Sequence, residues 1–274
     1  MLAKGADYLG LPAIAERDER IAIGRDKFHH RRVGGLLGRP GHTREALEAE
    51  RGNLGSQVFS AQYQQSPTAP EGNLIRPEWF LTYDEQIERS RFHYLVQSWD
   101  TGLSDQPTAD YSACTTWGLL DRKLYLLDVF RQQLAFPELE RAVLLKNRIW
   151  RPDKIIIEDA GTGTALWQQF RFTRKIRPVM MRPDVSKEER VIGITGLLES
   201  GACLLPAEAP WLDEFLKEIR AFPFGRNDDQ VDSMSQFLTY YLRYLRTGRS
   251  MLVERHPESG RKLRVERKDR VTRR

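Results

Sequence analysis

Cysteine is scarce: 274 residues hold two, Cys114 and Cys203. Neither belongs to a CxxC pair or stands near clustered histidines, which excludes a disulfide scaffold and a thiolate zinc site and leaves two reduced, packed thiols. Long apolar runs are missing too. None approaches the ~18 to 20 residues that a membrane span needs. The N-terminal "MLAKGADYLGLPAIAERDER" lacks the basic-then-apolar order of a secretory signal, so a cytoplasmic protein with no membrane contact is expected. No GxxxxGK[ST] phosphate loop occurs, and no internal repeat of ~20 to 50 residues is visible.

What is present suits one substantial core with appendages: 40% of residues are hydrophobic and 30% charged. The formal net charge of +5 is uneven, because residues 249 to 274 carry ten Lys and Arg against four Asp and Glu. A basic, flexible tail able to touch phosphate backbones is one reading of that stretch, and a solvated terminus is the other. Residues 1–75 alternate charged stretches with "VGGLLGRPGHT" and "SPTAPEGN", and only 43–52 and 55–65 look helical. "HHRR" at 29–32 reads as a solvated turn.

From about residue 92 the pattern sharpens. Strand-like runs at 93–99, 111–119 and 123–130 are followed by a helical segment to Trp150 and by "DKIIIED", a continuous apolar run suited to a strand buried on both faces. "GTALWQQF" reads as helix, "IRPVMM" as strand, "SKEERVIGITGLLES" as one helix and "CLLP" as a short strand. Further helices follow at 211–220 and 228–246. Strands first and then strand–helix alternation imply an α/β fold, a mixed sheet of five or more strands with helices on both faces.

Acids collect at one address in this scheme. Asp100 closes the first of these strands in "YLVQSWDTG", Glu158 and Asp159 close the fourth, and Asp228, Asp229 and Asp232 open the last long helix. Ligands of open α/β sheets gather outside the carboxyl ends of strands. Asn227 and Gln230 have capping-box spacing, and first-turn acids also offset the helix dipole. Asp232, three residues from Asp229 and four from Asp228, lies beyond what a cap requires. Several carboxylates converging in one place call for hard divalent cations, and two such ions ~3.5 to 4 Å apart can activate water against a phosphodiester. Lys187 and Arg190, one helical turn apart, could meet a phosphate backbone or form a solvated face. "GTGT" at 161–164 is a phosphate cradle or a glycine turn into the next helix. Asp105 and Asp110 are further acids of the turn-rich loop after the first strand.

Taken together, "SWDTG", "IIIEDAGTG", "KEER", "LLP" and "FPFGRNDDQVDSMSQFL" resemble the C-terminal nuclease domain of phage large terminase subunits, over residues 76–246. The resemblance implies a ribonuclease H-like fold at 76–248, flanked by a remnant of the motor domain and linker at 1–75 and by the tail at 249–274. "LPAIAE" and "LGSQVFSAQYQQSPTAPEGNLIRPEWF" are similar to the segment joining motor to nuclease. The implied activity is metal-dependent endonucleolytic cleavage of double-stranded viral DNA, with Mg2+ or Mn2+ as cofactor and no ATPase activity. The implied catalytic residues are Asp100, Glu158 and Asp229, and the metal set is Asp100, Glu158, Asp228, Asp229 and Asp232, with the choice between Asp228 and Asp229 open. DNA contacts fall to Lys187, Arg190 and Arg226, and the small terminase subunit and capsid portal are the implied partners. Relatives often carry Lys-His where this chain has Arg226-Asn227, and Ala where it has Ser233. A resolvase or transposase nuclease of the same fold, and a non-catalytic prophage remnant that binds DNA or portal, are the alternatives.

Overall fold

The computed structural model describes residues 10–38, 43–66, 74–85, 87–102 and 111–246. Asp105, Asp110 and the basic tail lie outside the described residues. The chain divides into two compact units, Met1–Gly72 with Ile192–Ser200, and Asn73–Val191 with Gly201–Arg274.

The smaller unit opens with an antiparallel hairpin of β1 (Glu19–Gly24) and β2 (Lys27–Arg31). Helices α1 (Arg44–Leu54) and α2 (Ser56–Tyr63) follow, where helical spacing predicts them. Thr43 caps α1 by accepting the Ala46 amide hydrogen at 3.2 Å. The hairpin corrects the expected turn at "HHRR": His29 pairs with Ile21 and His30 with Arg20. Both strands are largely exposed, so no apolar alternation marks them in the sequence. Arg31 alone on β2 is buried, 3.2 Å from Glu19 and donating to the carbonyls of Pro12 and Gly35. Ala13, Leu47 and Phe59 form this unit's core.

The larger unit is built on a seven-stranded mixed sheet in the order β3-β9-β6-β5-β4-β7-β8. In chain order its elements are β3 (Leu81–Tyr83), β4 (Tyr94–Asp100), β5 (Ser112–Leu120), β6 (Lys123–Gln132), α3 (Phe136–Trp150), β7 (Lys154–Glu158) and α4 (Gly161–Thr173). Next come β8 (Val179–Met181), α5 (Lys187–Ile192), α6 (Thr195–Glu199, part of the smaller unit), β9 (Cys203–Pro206), α7 (Leu212–Ala221) and α8 (Asp229–Arg246). β4, β5 and β6 form an antiparallel meander, whereas β7 joins β4, β8 joins β7, and β9 joins both β6 and β3 in parallel. β3 is an edge strand without a clear sequence signal. "SKEERVIGITGLLES" forms two helices rather than one, parted at Gly193, whose low helix propensity favours a break there.

Helices cover both faces of the sheet. On one, Trp99, Cys114, Ile155 and Ile157 pack against Leu139 and Val143 of α3 and Leu166 and Phe170 of α4. On the other, α8 lies over β4 and β5, and Trp117 stacks on Phe237 with ring centroids 5.1 Å apart. The "GTGT" run is the glycine turn: Gly161 sits at φ +45°, and a side chain on Gly163 would place its Cβ 2.1 Å from the Glu158 carbonyl oxygen. Among the described residues no helix is long and apolar enough to cross a membrane.

Candidate active site

Strand register decides where the acids point. β4 and β7 run parallel with Ser98 opposite Ile156 and Trp99 opposite Ile157. Side chains alternate along a strand, so Trp99 and Ile157 enter the apolar core while their successors, Asp100 and Glu158, emerge on the face that α8 covers. Two carboxylates from distant parts of the chain thus stand side by side at the carboxyl ends of neighbouring strands.

Helix α8 is tied over these strand ends by buried hydrogen bonds. Ser233 Oγ donates to the Ser98 carbonyl at 2.7 Å and accepts the Thr115 amide at 2.9 Å. Gln236 Nε2 donates to Ser98 Oγ at 2.9 Å and to the Trp99 carbonyl at 3.2 Å. The helix origin is held separately. Glu218 of α7, itself buried, accepts the amide hydrogens of Gln230 at 2.6 Å and Val231 at 3.1 Å, and its other oxygen accepts from Gln230 Nε2 at 2.6 Å. This replaces the expected box of Asn227 and Gln230, since the capping carboxylate arrives from another helix. Burial pushes the Glu218 carboxyl up, against the pull of these hydrogen bonds and of Arg131. Arg131 Nε lies 3.5 Å from Asp229 and 3.8 Å from Glu218, while its Nη1 donates to Glu214 at 2.6 Å.

The acids of this face feel one another. Burial pushes Asp100 well above the usual carboxylate range, and the charges of Asp232, Glu158 and Asp229 push it further, with Lys187 opposing. Cations from α5 meet the remaining acids. Arg190 places Nη1 3.2 Å from Glu158 Oε1 and Nη2 2.5 Å from Asp232 Oδ1. Lys187 Nζ lies 2.7 Å from Asp228 Oδ2 and 2.5 Å from Asp232 Oδ2. Burial alone would lower both cations, yet the carboxylates hold each of them above its ordinary value, so both stay charged. Asp232 is itself raised by burial despite Arg190 and Lys187. Among the described residues no basic side chain makes an ion pair with Asp100.

The profile of the terminase RNaseH-like domain matches residues 97–240. The chain belongs to the terminase RNaseH-like domain family. Solved structures agree in fold. A large terminase from a thermophilic bacteriophage superposes with a TM-score of 0.59 at 12% identity, over 73% of this chain and 53% of that one. The large terminase nuclease of thermophilic phage G20c with bound magnesium gives 0.50 at 15% identity, over 62% of this chain and 98% of that one. This chain therefore spans about half the length, 53%, of the large terminase it matches. No curated protein sequence matches it.

Within this RNaseH-like domain, Asp100, Glu158, Asp229 and Asp232 come together, and Asp228 joins them through Lys187. Lys187 and Arg190, read from sequence as able to meet a phosphate backbone or form a solvated face, reach the acids, Arg190 buried and Lys187 about half exposed. Arg226 is exposed beside a cavity of about 530 Å³ lined also by Arg131, Lys217 and Glu218. Sequence reasoning passed over Glu218, Arg131 and Gln236; Glu218 had one legible signal, an acid on the apolar stripe of α7 beside Phe215 and Ile219.

A hard divalent ion fits this donor set in its chemistry: oxygen ligands throughout, and one carboxylate, Asp100, disfavoured as an anion by three others. Among the described residues no group of three or more His, Cys, Asp or Glu stands ready to hold an ion. Glu158, Asp228 and Asp232 are paired with Lys187 and Arg190.

Proposed function

We propose that this domain is a divalent-metal-dependent endonuclease that cuts double-stranded DNA during viral genome packaging. One observation carries the reading: Asp100 and Glu158 emerge together at the ends of parallel β4 and β7, beneath the acids that open α8. Asp100, Glu158 and Asp229 are the ligands, and Mg2+ or Mn2+ is the ion. When bound, a divalent ion supplies charge that polarises the phosphodiester and favours attack by water.

The chain's own residues do the rest. Glu218 and Arg131 set the first turn of α8, which carries Asp229, while Ser233 and Gln236 fix the height of that helix above the strand ends. The Trp99 face excludes water from beneath the site. Exposed Arg226 is suited to the DNA backbone, a contact without sequence information and with strong salt dependence. Packaging context supplies the partners, the small terminase subunit and the capsid portal, by way of the family.

Plasmid nicking in Mn2+ tests the assignment. The wild-type chain nicks; Asp100→Asn, with unchanged circular dichroism, does not. Nicking retained by a folded Asp100→Asn chain removes Asp100 from the chemistry and defeats the proposal.

A further inference from the structure

We infer that the β1–β2 hairpin is a second nucleic-acid contact, a basic ribbon that grips the phosphate backbone of duplex DNA. The nuclease reading supplies only the choice of duplex DNA as the polyanion. The contact itself stands on the hairpin.

Register sorts the ribbon into two unlike faces. Glu19 pairs with Arg31 and Ile21 with His29, whereas Arg20 pairs with His30 and Ala22 with Phe28. Paired residues share a face, and neighbours along a strand alternate between faces. The first face roots the ribbon through buried Arg31, which meets Glu19 and the carbonyls of Pro12 and Gly35. The second carries Arg20, Phe28 and His30, all exposed, and no acid. Arg20 lies over the Phe28 ring, its Cζ 3.8 Å from the centroid. Stacking holds a guanidinium by its flat side and leaves the N–H donors around its edge for phosphate oxygens.

Further cations stand at both ends of the ribbon: Arg25 and Lys27 at the turn, and Arg32 just beyond β2, all exposed. Among the described residues the ribbon's one ion pair is Arg31 with Glu19, which leaves Arg20, Arg25, Lys27 and Arg32 outside any such pair there. The exposed acid, Asp26, is accounted for by the turn, where it takes φ +59°, a left-handed conformation that aspartate adopts more readily than most residues. Extended chain rising ~3.3 Å per residue puts Arg20 about 16 Å from Arg25. A major groove is ~12 Å wide and admits a two-stranded ribbon, so the hairpin reaches across it with a cation at each wall. Contacts of this kind position a protein on DNA and carry little sequence information.

Fluorescence anisotropy of the full chain with a labelled DNA duplex, in EDTA so that nothing is cut, reads this contact apart from catalysis. A double variant, Arg20→Gln with Lys27→Gln, whose circular dichroism and denaturation midpoint match the wild type, should bind at least about tenfold more weakly at low salt. Its slope of log affinity against log salt should shrink by about 2, since each lost phosphate contact removes ~0.9. Arg20→Lys with Lys27→Arg, which keeps both charges, should bind with the wild-type slope. Affinity and slope unchanged in the glutamine variant overturn the inference and leave the ribbon's charge to an acidic protein partner. A charge-keeping variant as weak as the glutamine one, or a wild-type chain that does not bind duplex, overturns it as well. Asp100→Asn should bind DNA as the wild type does. Ribbon-dependent binding in a wild-type chain that fails to nick in Mn2+ would sink the nuclease reading alone.

Discussion

The two sides of β4 are built from different chemistry. Trp99 belongs to a face of aromatic and aliphatic contacts with α3 and α4, whereas Ser98 and Asp100 belong to a face where α8 is held by hydrogen bonds from Ser233 and Gln236. Apolar packing is strong but tolerant of small slides. Buried hydrogen bonds add little net energy, yet they are directional and costly to leave unmade. The first face accordingly supplies stability, and the second fixes the distance between the strand acids and the helix acids.

Breaking the apolar face should have the largest effect on stability. Phe170 is fully buried between α4 and the sheet, and Phe170→Ala is expected to cost about 3 to 5 kcal/mol in urea denaturation. A cost below about 1 kcal/mol would mean that this face is not the main source of stability. Glu218→Ala comes next, at about 1 to 3 kcal/mol, because two backbone amides and one side-chain amide lose their acceptor. Hydrogen exchange locates the effect: protection should fall first at Gln230 and Val231. A uniform fall across the sheet would contradict the view that Glu218 acts on the start of α8.

The difference between the faces also explains what the sequence disclosed. The strands of the meander, β7 and α8 carry long apolar or periodic patterns, so their positions were legible, as were the acids at their ends. The hairpin of β1 and β2 was not, because a strand pair exposed on both sides has no apolar alternation. Pairings at the site were hidden for another reason. That Lys187 and Arg190 turn toward acids more than 30 residues away depends on α5 settling beside α8, and nothing local to "SKEERV" encodes this. The Glu218 cap was concealed in the same way, since a sequence reader seeks a helix's cap next to its first turn.

Smaller changes on the polar face sharpen the comparison. Gln236→Leu keeps the volume but removes the donor to Ser98 and to the Trp99 carbonyl. It should cost about 1 to 2 kcal/mol. Mn2+ affinity should drop by more than that loss accounts for in a fully folded sample, because α8 is freed at the level of the acids. Unchanged metal affinity would show that Gln236 serves stability alone.

Ser233→Ala should be the mildest of the series. Its hydroxyl links the Thr115 amide to the Ser98 carbonyl, so the alanine chain leaves that amide without this acceptor in a buried setting. The alanine methyl group fits where the hydroxymethyl did. The expected cost is about 0.5 to 1.5 kcal/mol, read from the shift of the denaturation midpoint at constant slope. Metal affinity and nicking should stay as in the wild type, because Gln236 and the Glu218 cap still hold α8 on either side of position 233. If Ser233→Ala instead weakens Mn2+ binding while barely moving the midpoint, the hydroxyl belongs to the site itself, and the division of labour between the two faces fails at its most sensitive point.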